Sequence, residues 1–354
     1  MIPTFYQTHL KKQLTSAQFL VMTTLPRVMQ SEKQVRLERL APVFPYPITT
    51  ESRRRKLQIF LDLPNLTISL IWFPLITYWL TTYCPIGTRL SRSIDRSQWG
   101  CINLFMVSLI WERRAIPLYW SLLPKLGNST FESQTTNLQQ VLPLFSEYKL
   151  IVLGDREFCS VDLANWLKEK GVSFCLRLKK NLCIETEHLV WQRLDELGIV
   201  PGTCLYVQGK RVRKTLPTTG FELACKWKRN YGKYQVKEAG FILTDLGSLR
   251  AALNAYKQRM GIEEMFRDCK TGGYELEGTS LKGNRLINMI LLMTLAYTWA
   301  IFQGTELKKK QVQKYVSRRK EPKKKYRRRS TFGVGLDGEK WVNYLEQYSL
   351  EVEQ

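Results

Sequence analysis

Between Ser248 and Lys270 the stretch SLRAALNAYKQRMGIEEMFRDCK gathers groups that could do chemistry on one helical stripe. Leu249, Ala252, Leu253 and Tyr256 begin it as a core-facing row at three-and-four spacing. Tyr256, Arg259, Glu263, Phe266 and Lys270 continue it, and at about 100° per residue they stay within roughly a quarter of the helix circumference. A face that starts in the core thus ends with a guanidinium, a carboxylate and an ammonium. Taken alone, the stripe reads as a half-exposed helix whose Arg259 and Glu263 form an i,i+4 pair worth a few tenths of a kcal/mol. Two further acids give it another meaning. Asp95 falls where a first strand ends, and Asp155 closes the apolar run KLIVLGD. Three carboxylates without histidine or thiol are the hard-oxygen set suited to Mg²⁺ or Mn²⁺. Two such ions about 3.5–4 Å apart activate an attacking oxygen and stabilise a leaving one in phosphoryl transfer.

The elements that must position these acids are legible in outline. TSAQFLVMTTLPRVMQ, SEKQVRLERLAPVF and TTESRRRKLQIFLDLP each open with Ser or Thr, the side chains that cap helix starts, so residues 1–88 read as a helical amino-terminal region. Arg53, Arg54, Arg55 and Lys56 wrap around the third start, as a solvated cluster or as phosphate contacts. LSRSID, INLFMVSLIW and AIPLYWSLL then read as an antiparallel meander with ERR as a turn. FESQTTNLQQVLPLFSEY returns to helix, KLIVLG is a buried strand, SVDLANWLKEKG is a helix capped by Ser160 and stopped at Gly171, and VSFCLRLKK is a strand. Three strands, helix, strand, helix, strand is the order of a ribonuclease-H-like core, an α/β mixed sheet flanked by helices. In such a sheet the first and fourth strands are neighbours, which brings Asp95 and Asp155 together. Residues 89–189 form the first part of this core, 190–240 a β-rich insertion, 241–304 its second part and 305–354 a basic carboxy-terminal arm. That arm holds thirteen Lys or Arg between Lys308 and Arg329 against one acid, Glu321. No job follows for GEKWVNYLEQY near the end.

Composition narrows the partners. A net charge of +23 on 354 residues exceeds what solubility needs and points to a polyanion, nucleic acid before membrane. Hydrophobic residues at 44% supply a folded interior, so this is no disordered polycation. The eight cysteines form no CxxC pair and the only histidines are His9 and His188, which disfavours zinc fingers, a disulfide framework and a histidine triad. The start shows no secretory pattern. Pro64–Thr88 and Leu286–Gln303 are uncharged, yet prolines, threonines and asparagines within them make buried helices the better reading than membrane spans.

The spacing Tyr256, Arg259, Glu263, Lys270 matches the Y-R-E-K signature of one group of DDE-type insertion-sequence transposases, the IS-four-like group. IDRSQW around Asp95 and LGDREF around Asp155 resemble that group's two aspartate motifs, and the AIPLYW strand and the β insertion are also similar. The resemblance runs from about residue 88 to 304, and ESRRR and RRKEPKKK extend it to the flanks. It implies that Asp95, Asp155 and Glu263 hold a pair of Mg²⁺ or Mn²⁺ ions, that Arg259 and Lys270 grip phosphates of the element's end, and that Tyr256 contacts the same strand. It implies double-stranded DNA with terminal inverted repeats and a target DNA as partners, a homodimer in the synaptic complex, no membrane, and a cytoplasmic, nucleoid-associated place in a bacterium. Arg156 and Glu157 are either DNA contacts or supporting salt bridges. Trp227 and Tyr231, amid Lys226, Lys228 and Arg229, either stack on an extruded base or pack in the core. The strand before Asp95 departs from the pattern, since Leu90-Ser91-Arg92-Ser93-Ile94 carries a charge and two hydroxyls. Either the serines share the buried face or Arg92 is an edge cation. The alternatives to a transposase are a catalytically decayed DNA-binding copy and a ribonuclease-H-like nuclease without strand transfer.

Overall fold

The structure, a computed structural model, describes residues 4–185, 190–212, 218–229, 238–317 and 329–352. The chain opens with helices α1 (Thr4–Gln13), α2 (Ser16–Glu32), α3 (Leu37–Val43), α4 (Thr50–Leu61) and, after a wide turn at Ile68–Trp72, α5 (Phe73–Tyr83). Thr15 closes a capping box with Gln18, and Thr49 caps α4 through the Ser52 N–H. Ser31 does not cap the next helix as its sequence position suggested. The apolar stripe Val21, Leu25 and Met29 carries α2 past it, and the helix stops at Lys33 with φ 54°.

Strands β1 (Arg89–Trp99), β2 (Ile102–Trp111) and β3 (Arg114–Leu122) follow, then α6 (Phe131–Val141), β4 (Lys149–Gly154), α7 (Val161–Glu169) and β5 (Ser173–Arg177). Next come β6 (Cys183–Glu185), β7 (Trp191–Arg193), β8 (Cys204–Val212), β9 (Thr218–Lys226), β10 (Gly240–Thr244), α8 (Leu249–Lys257) and α9 (Met260–Cys269). The chain closes with α10 (Gly283–Lys309), α11 (Gln313–Val316) and α12 (Thr331–Val352).

These elements divide into two compact units, residues 79–265 and residues 1–78 with 266–354. The first is a mixed α/β unit around one ten-stranded sheet in the order β3-β2-β1-β4-β5-β10-β9-β8-β6-β7. β1, β4 and β5 run parallel, and the remaining neighbours are antiparallel. β4 is buried from Leu150 to Gly154, the mark of a strand covered on both faces. The strands between residues 183 and 226 extend this same sheet through β9, which pairs with β10.

β1 corrects two expectations. It runs on to Trp99, so Asp95 lies within the strand and not at its end. Arg92 is no edge cation: β1 is flanked by β2 and β4, and the side chain is fully buried with its guanidinium carbon 3.6 Å from the Phe145 ring centroid. All three of its side-chain nitrogens lack a hydrogen-bond partner, and burial pushes its pKa down to about 9. Ser91 and Ser93 point to the opposite face and are buried too.

The helical unit is organised on α10, every residue of which is buried from Met289 to Ile301. α10 is long and apolar enough to cross a membrane by length and composition, but 83% of its apolar window is buried inside the protein. α2, α4 and α12 pack on it. α12 approaches at two glycines: a Cβ on Gly335 would stand 1.8 Å from the Ala300 carbonyl oxygen, and one on Gly304 would stand 1.9 Å from that of Thr331. Within this unit Arg53 donates to the carbonyls of Ala41, Pro42 and Tyr46, Arg54 pairs with Glu51 and Glu38, and Lys56 lies over the Tyr46 ring. Three of the four clustered cations therefore hold the corner between α3 and α4, while Arg55 is exposed.

Candidate active site

Strand register places the first two acids. β1 and β4 are parallel with Ser93 opposite Leu153, so two residues further on Asp95 and Asp155 come level. Gly154 is required there, because the turn Arg156–Phe158 folds the Phe158 ring back over β4 and a Cβ at 154 would meet Phe158 Cβ at 2.8 Å. Each aspartate is anchored by a backbone donor: the Arg96 N–H reaches Asp95 at 2.8 Å and the Glu157 N–H reaches Asp155 at 2.9 Å.

The third acid arrives on a helix that is not continuous. The stripe from Tyr256 to Lys270 is divided between α8 and α9, with Gln258 and Arg259 between them in a tighter turn. There the N–H groups of Gln258, Arg259, Gly261 and Ile262 each donate to the carbonyl three residues back. Gly261 explains the break in part. It disfavours helix, and a Cβ there would press on Ile110 and the backbone of Arg114 and Ala115 at 3.2–3.4 Å.

The turn delivers Arg259 into the centre of the acids. Its Nη2 lies 3.0 Å from Asp95 Oδ2 and 3.3 Å from Asp155 Oδ2, and its Nη1 bonds the Glu263 carboxylate. The arginine is 8% exposed. Burial works against its charge, but Asp95, the Glu263 hydrogen bond, Tyr256 and Asp155 together hold its pKa above the ordinary arginine value. Asp95 moves the other way. Burial raises its pKa to about 6 against the pull of Arg259 and the Arg96 N–H, with Asp155 and Glu263 adding to the rise. Glu264 points elsewhere and pairs with Arg114 at 3.2 Å.

Around this centre stands a ring that the sequence only half disclosed. Tyr256 is half-buried, which raises its hydroxyl pKa, and it feels Arg259, Arg177 and Asp155 and hydrogen-bonds Arg177. Arg156 and Arg177 both pair with Glu238, at the start of the chain leading into β10. Arg177 was not singled out from sequence. The signal was its place as the last residue of β5, parallel to β4 and hence on the edge where Asp155 emerges. Trp227 follows β9 on that same edge and is half-buried, its backbone bonded to Gly202 and Thr203. Lys270 falls in the helical unit, where it pairs with Glu277 at 2.7 Å. Lys308, at the root of the basic arm, donates to Thr331. Tyr231, His188 and residues 318–328 of that arm lie outside the described residues.

Among the described residues no three Asp, Glu, His or Cys side chains are grouped so as to hold a metal ion as they stand. The donor chemistry nevertheless fits a hard divalent cation, since three carboxylates converge on one positive group, Arg259. All eight cysteines are free thiols, and Cys84, Cys175, Cys225 and Cys269 are buried.

Residues 132–299, just under half of the chain, match the profile of the family described as Transposase DDE domain. The matched span contains Asp155, Arg259 and Glu263, while Asp95 precedes it. This match supports a transposase of the DDE class. The chain is also distantly similar to a cryo-EM structure of the piggyBac transposase synaptic complex with hairpin DNA, at 11% identity over 95% of this chain and 77% of that one, with a TM-score of 0.44. No curated protein matches the chain.

Proposed function

We propose that this chain is a DDE transposase of the Y-R-E-K, IS-four-like group, with a ribonuclease-H-like core, that cuts DNA at the ends of an insertion sequence and joins it to a target. One observation carries the reading: Asp95, Asp155 and Glu263, from two neighbouring strands and a distant helix, all contact the guanidinium of Arg259. Two Mg²⁺ or Mn²⁺ ions held by these carboxylates would supply the Lewis acidity for phosphoryl transfer. The chain's own cations do the rest. Arg156 and Arg177 with Tyr256 form the rim that receives phosphates around Arg259, and Trp227 offers a stacking face on the same edge. The charge of +23 draws in duplex DNA carrying terminal inverted repeats, and a homodimer would hold two such ends in a cytoplasmic, nucleoid-associated complex.

The test is Mg²⁺-dependent nicking of a duplex bearing the element's own end, with binding followed in Ca²⁺. Glu263→Gln should bind and not cut. Glu264→Gln should cut, because that carboxylate is committed to Arg114. The reverse outcome would remove Glu263 from the site. Joining of the cut end to a second duplex separates a transposase from a nuclease without strand transfer.

Arg92 favours a second reading, a decayed copy that binds DNA without cutting it. A guanidinium without hydrogen bonds in an interior strand would loosen the sheet that sets Asp95 beside Asp155. Under that reading the wild-type chain binds but does not nick, and Arg92→Leu restores cutting.

A further inference from the structure

We infer that Arg259 is a resident counter-ion that keeps the acidic site closed in the DNA-free protein, and that a DNA phosphate opens it by drawing the guanidinium away. The inference rests on the transposase reading and adds a coupling between the two ligands.

Three observations support it. The guanidinium uses both terminal nitrogens on the acids, Nη2 on Asp95 and Asp155 and Nη1 on Glu263. A divalent ion needs those same oxygens, and as they stand the described acids form no metal-holding group. The ion and the guanidinium are therefore competitors for one set of lone pairs. Secondly, the site has a closed floor and an open side. The Asp95 side chain is 14% exposed and that of Glu263 is 46% exposed, so a phosphate arrives on the side of Glu263. Arginine matches phosphate oxygens with paired donors as well as it matches carboxylates, and the buried Nε of Arg259, which has no partner, is a donor still to be used. Thirdly, Arg259 stands in the hydrogen-bonded turn between α8 and α9, and turning its guanidinium takes side-chain torsions alone and unwinds neither helix.

Once the guanidinium turns to a phosphate, three carboxylates face each other without their cation, and affinity for a divalent ion rises. Linkage makes the effect reciprocal: the factor by which DNA tightens the metal is the factor by which the metal tightens DNA. The arrangement keeps the hydrolytic centre unassembled until DNA is seated.

The measurement is Mn²⁺ binding to the full chain, read from the electron paramagnetic resonance signal of free Mn²⁺, with and without a duplex oligonucleotide of mixed sequence at low salt. The wild-type chain alone should bind Mn²⁺ weakly, and DNA should tighten it on the order of tenfold. Arg259→Gln should bind Mn²⁺ about as tightly without DNA as the wild type does with it, and Arg259→Lys should fall between. Asp155→Asn, made in parallel with the same DNA, should leave only the Mn²⁺ that the phosphates hold by themselves, and the difference from it assigns the signal to this site. Wild-type binding that is tight without DNA, unchanged by DNA and lost in Asp155→Asn would overturn the counter-ion role and leave the transposase reading standing. No binding dependent on Asp155 in any variant or complex would sink both. The comparison of wild-type chain with and without DNA needs no variant, so misfolding of Arg259→Gln cannot shelter the inference.

Discussion

Arg96 and Glu157, one and two residues beyond a site aspartate, lock strand β1 to the turn after β4. Arg96 Nε lies 2.9 and 3.0 Å from the two carboxylate oxygens of Glu157, and both side chains are only 14% exposed. Glu157 also accepts from the backbone and hydroxyl of Ser129, and Arg96 donates to Asn103. The pair thus ties β1, β2, the turn after β4 and the start of α6 at one point.

Glu157→Gln should therefore cost about 2–3 kcal/mol in urea unfolding, since Arg96 is left with a weaker, uncharged acceptor in a half-dry place. Burial opposes ionisation of Glu157, but its bonds to Arg96 and Ser129 outweigh it and lower its pKa below the reference 4.5. Its contribution is then complete above that reference and fades as pH falls through the folded-state value. A Gln variant as stable as wild type at pH 7 would contradict the tie.

Asp95 should impose the opposite pH trend. With its pKa raised from 3.8 to about 6, the folded chain keeps a proton that the unfolded chain has already lost, so stability falls as pH rises across that interval. The loss should reach about 2–3 kcal/mol in metal-free protein. Unfolding measured in chelator at a series of pH values, for wild type and Asp95→Asn, checks this. The difference between them should grow from pH 4 to 6 and then level off, and parallel curves would mean that Asp95 is ionised throughout.

Arg92→Leu should stabilise the chain by about 1–4 kcal/mol, because an apolar side chain in its place removes the desolvation cost of a buried cation that has no hydrogen bond and only the Phe145 ring beside it. Circular dichroism in urea measures it. A less stable variant would show that the stacking on Phe145 outweighs that cost.

Arg177→Ala should weaken DNA binding and reduce the dependence of log K on log salt by about 0.9, the share of one phosphate contact. Replacing the basic residues between Lys308 and Arg329 by Ser should flatten the slope much further. An unchanged slope for Arg177→Ala would confine that residue to its partners Glu238 and Tyr256.

What could be read from the sequence followed its strongest local signals. The apolar run before Gly154, the cap at Ser160 and the stop at Gly171 appear as expected, because burial on both faces and a left-handed residue leave plain marks in one dimension. The meander turn was also visible, although Glu112 and Arg113 adopt positive φ without being glycine. The break at Gln258 and Arg259 was not visible: Gly261 is the local hint, but its cause is the approach of β2 and β3, which spacing cannot register. Arg177 was hidden likewise, since its neighbours come from strand order and not from a motif. Asp95, Asp155 and Glu263 could be named in advance. That an arginine of the same signature would sit among them could not, because i,i+4 spacing looks alike whether the pair faces water or two further acids.

The helical unit takes its halves from both ends of the chain, and that has a consequence for how the protein is made. Residues 79–265 are contiguous and can mature while synthesis continues. α10 leaves the ribosome with the hydropathy of a membrane span, before α12 and the glycine crossing at Gly304 and Gly335 exist to cover it. During that interval the nascent chain presents a sticky segment that resembles a membrane span, so expression should depend on chaperone supply. Stalled or prematurely terminated products lacking α12 should be insoluble or cleared by proteolysis.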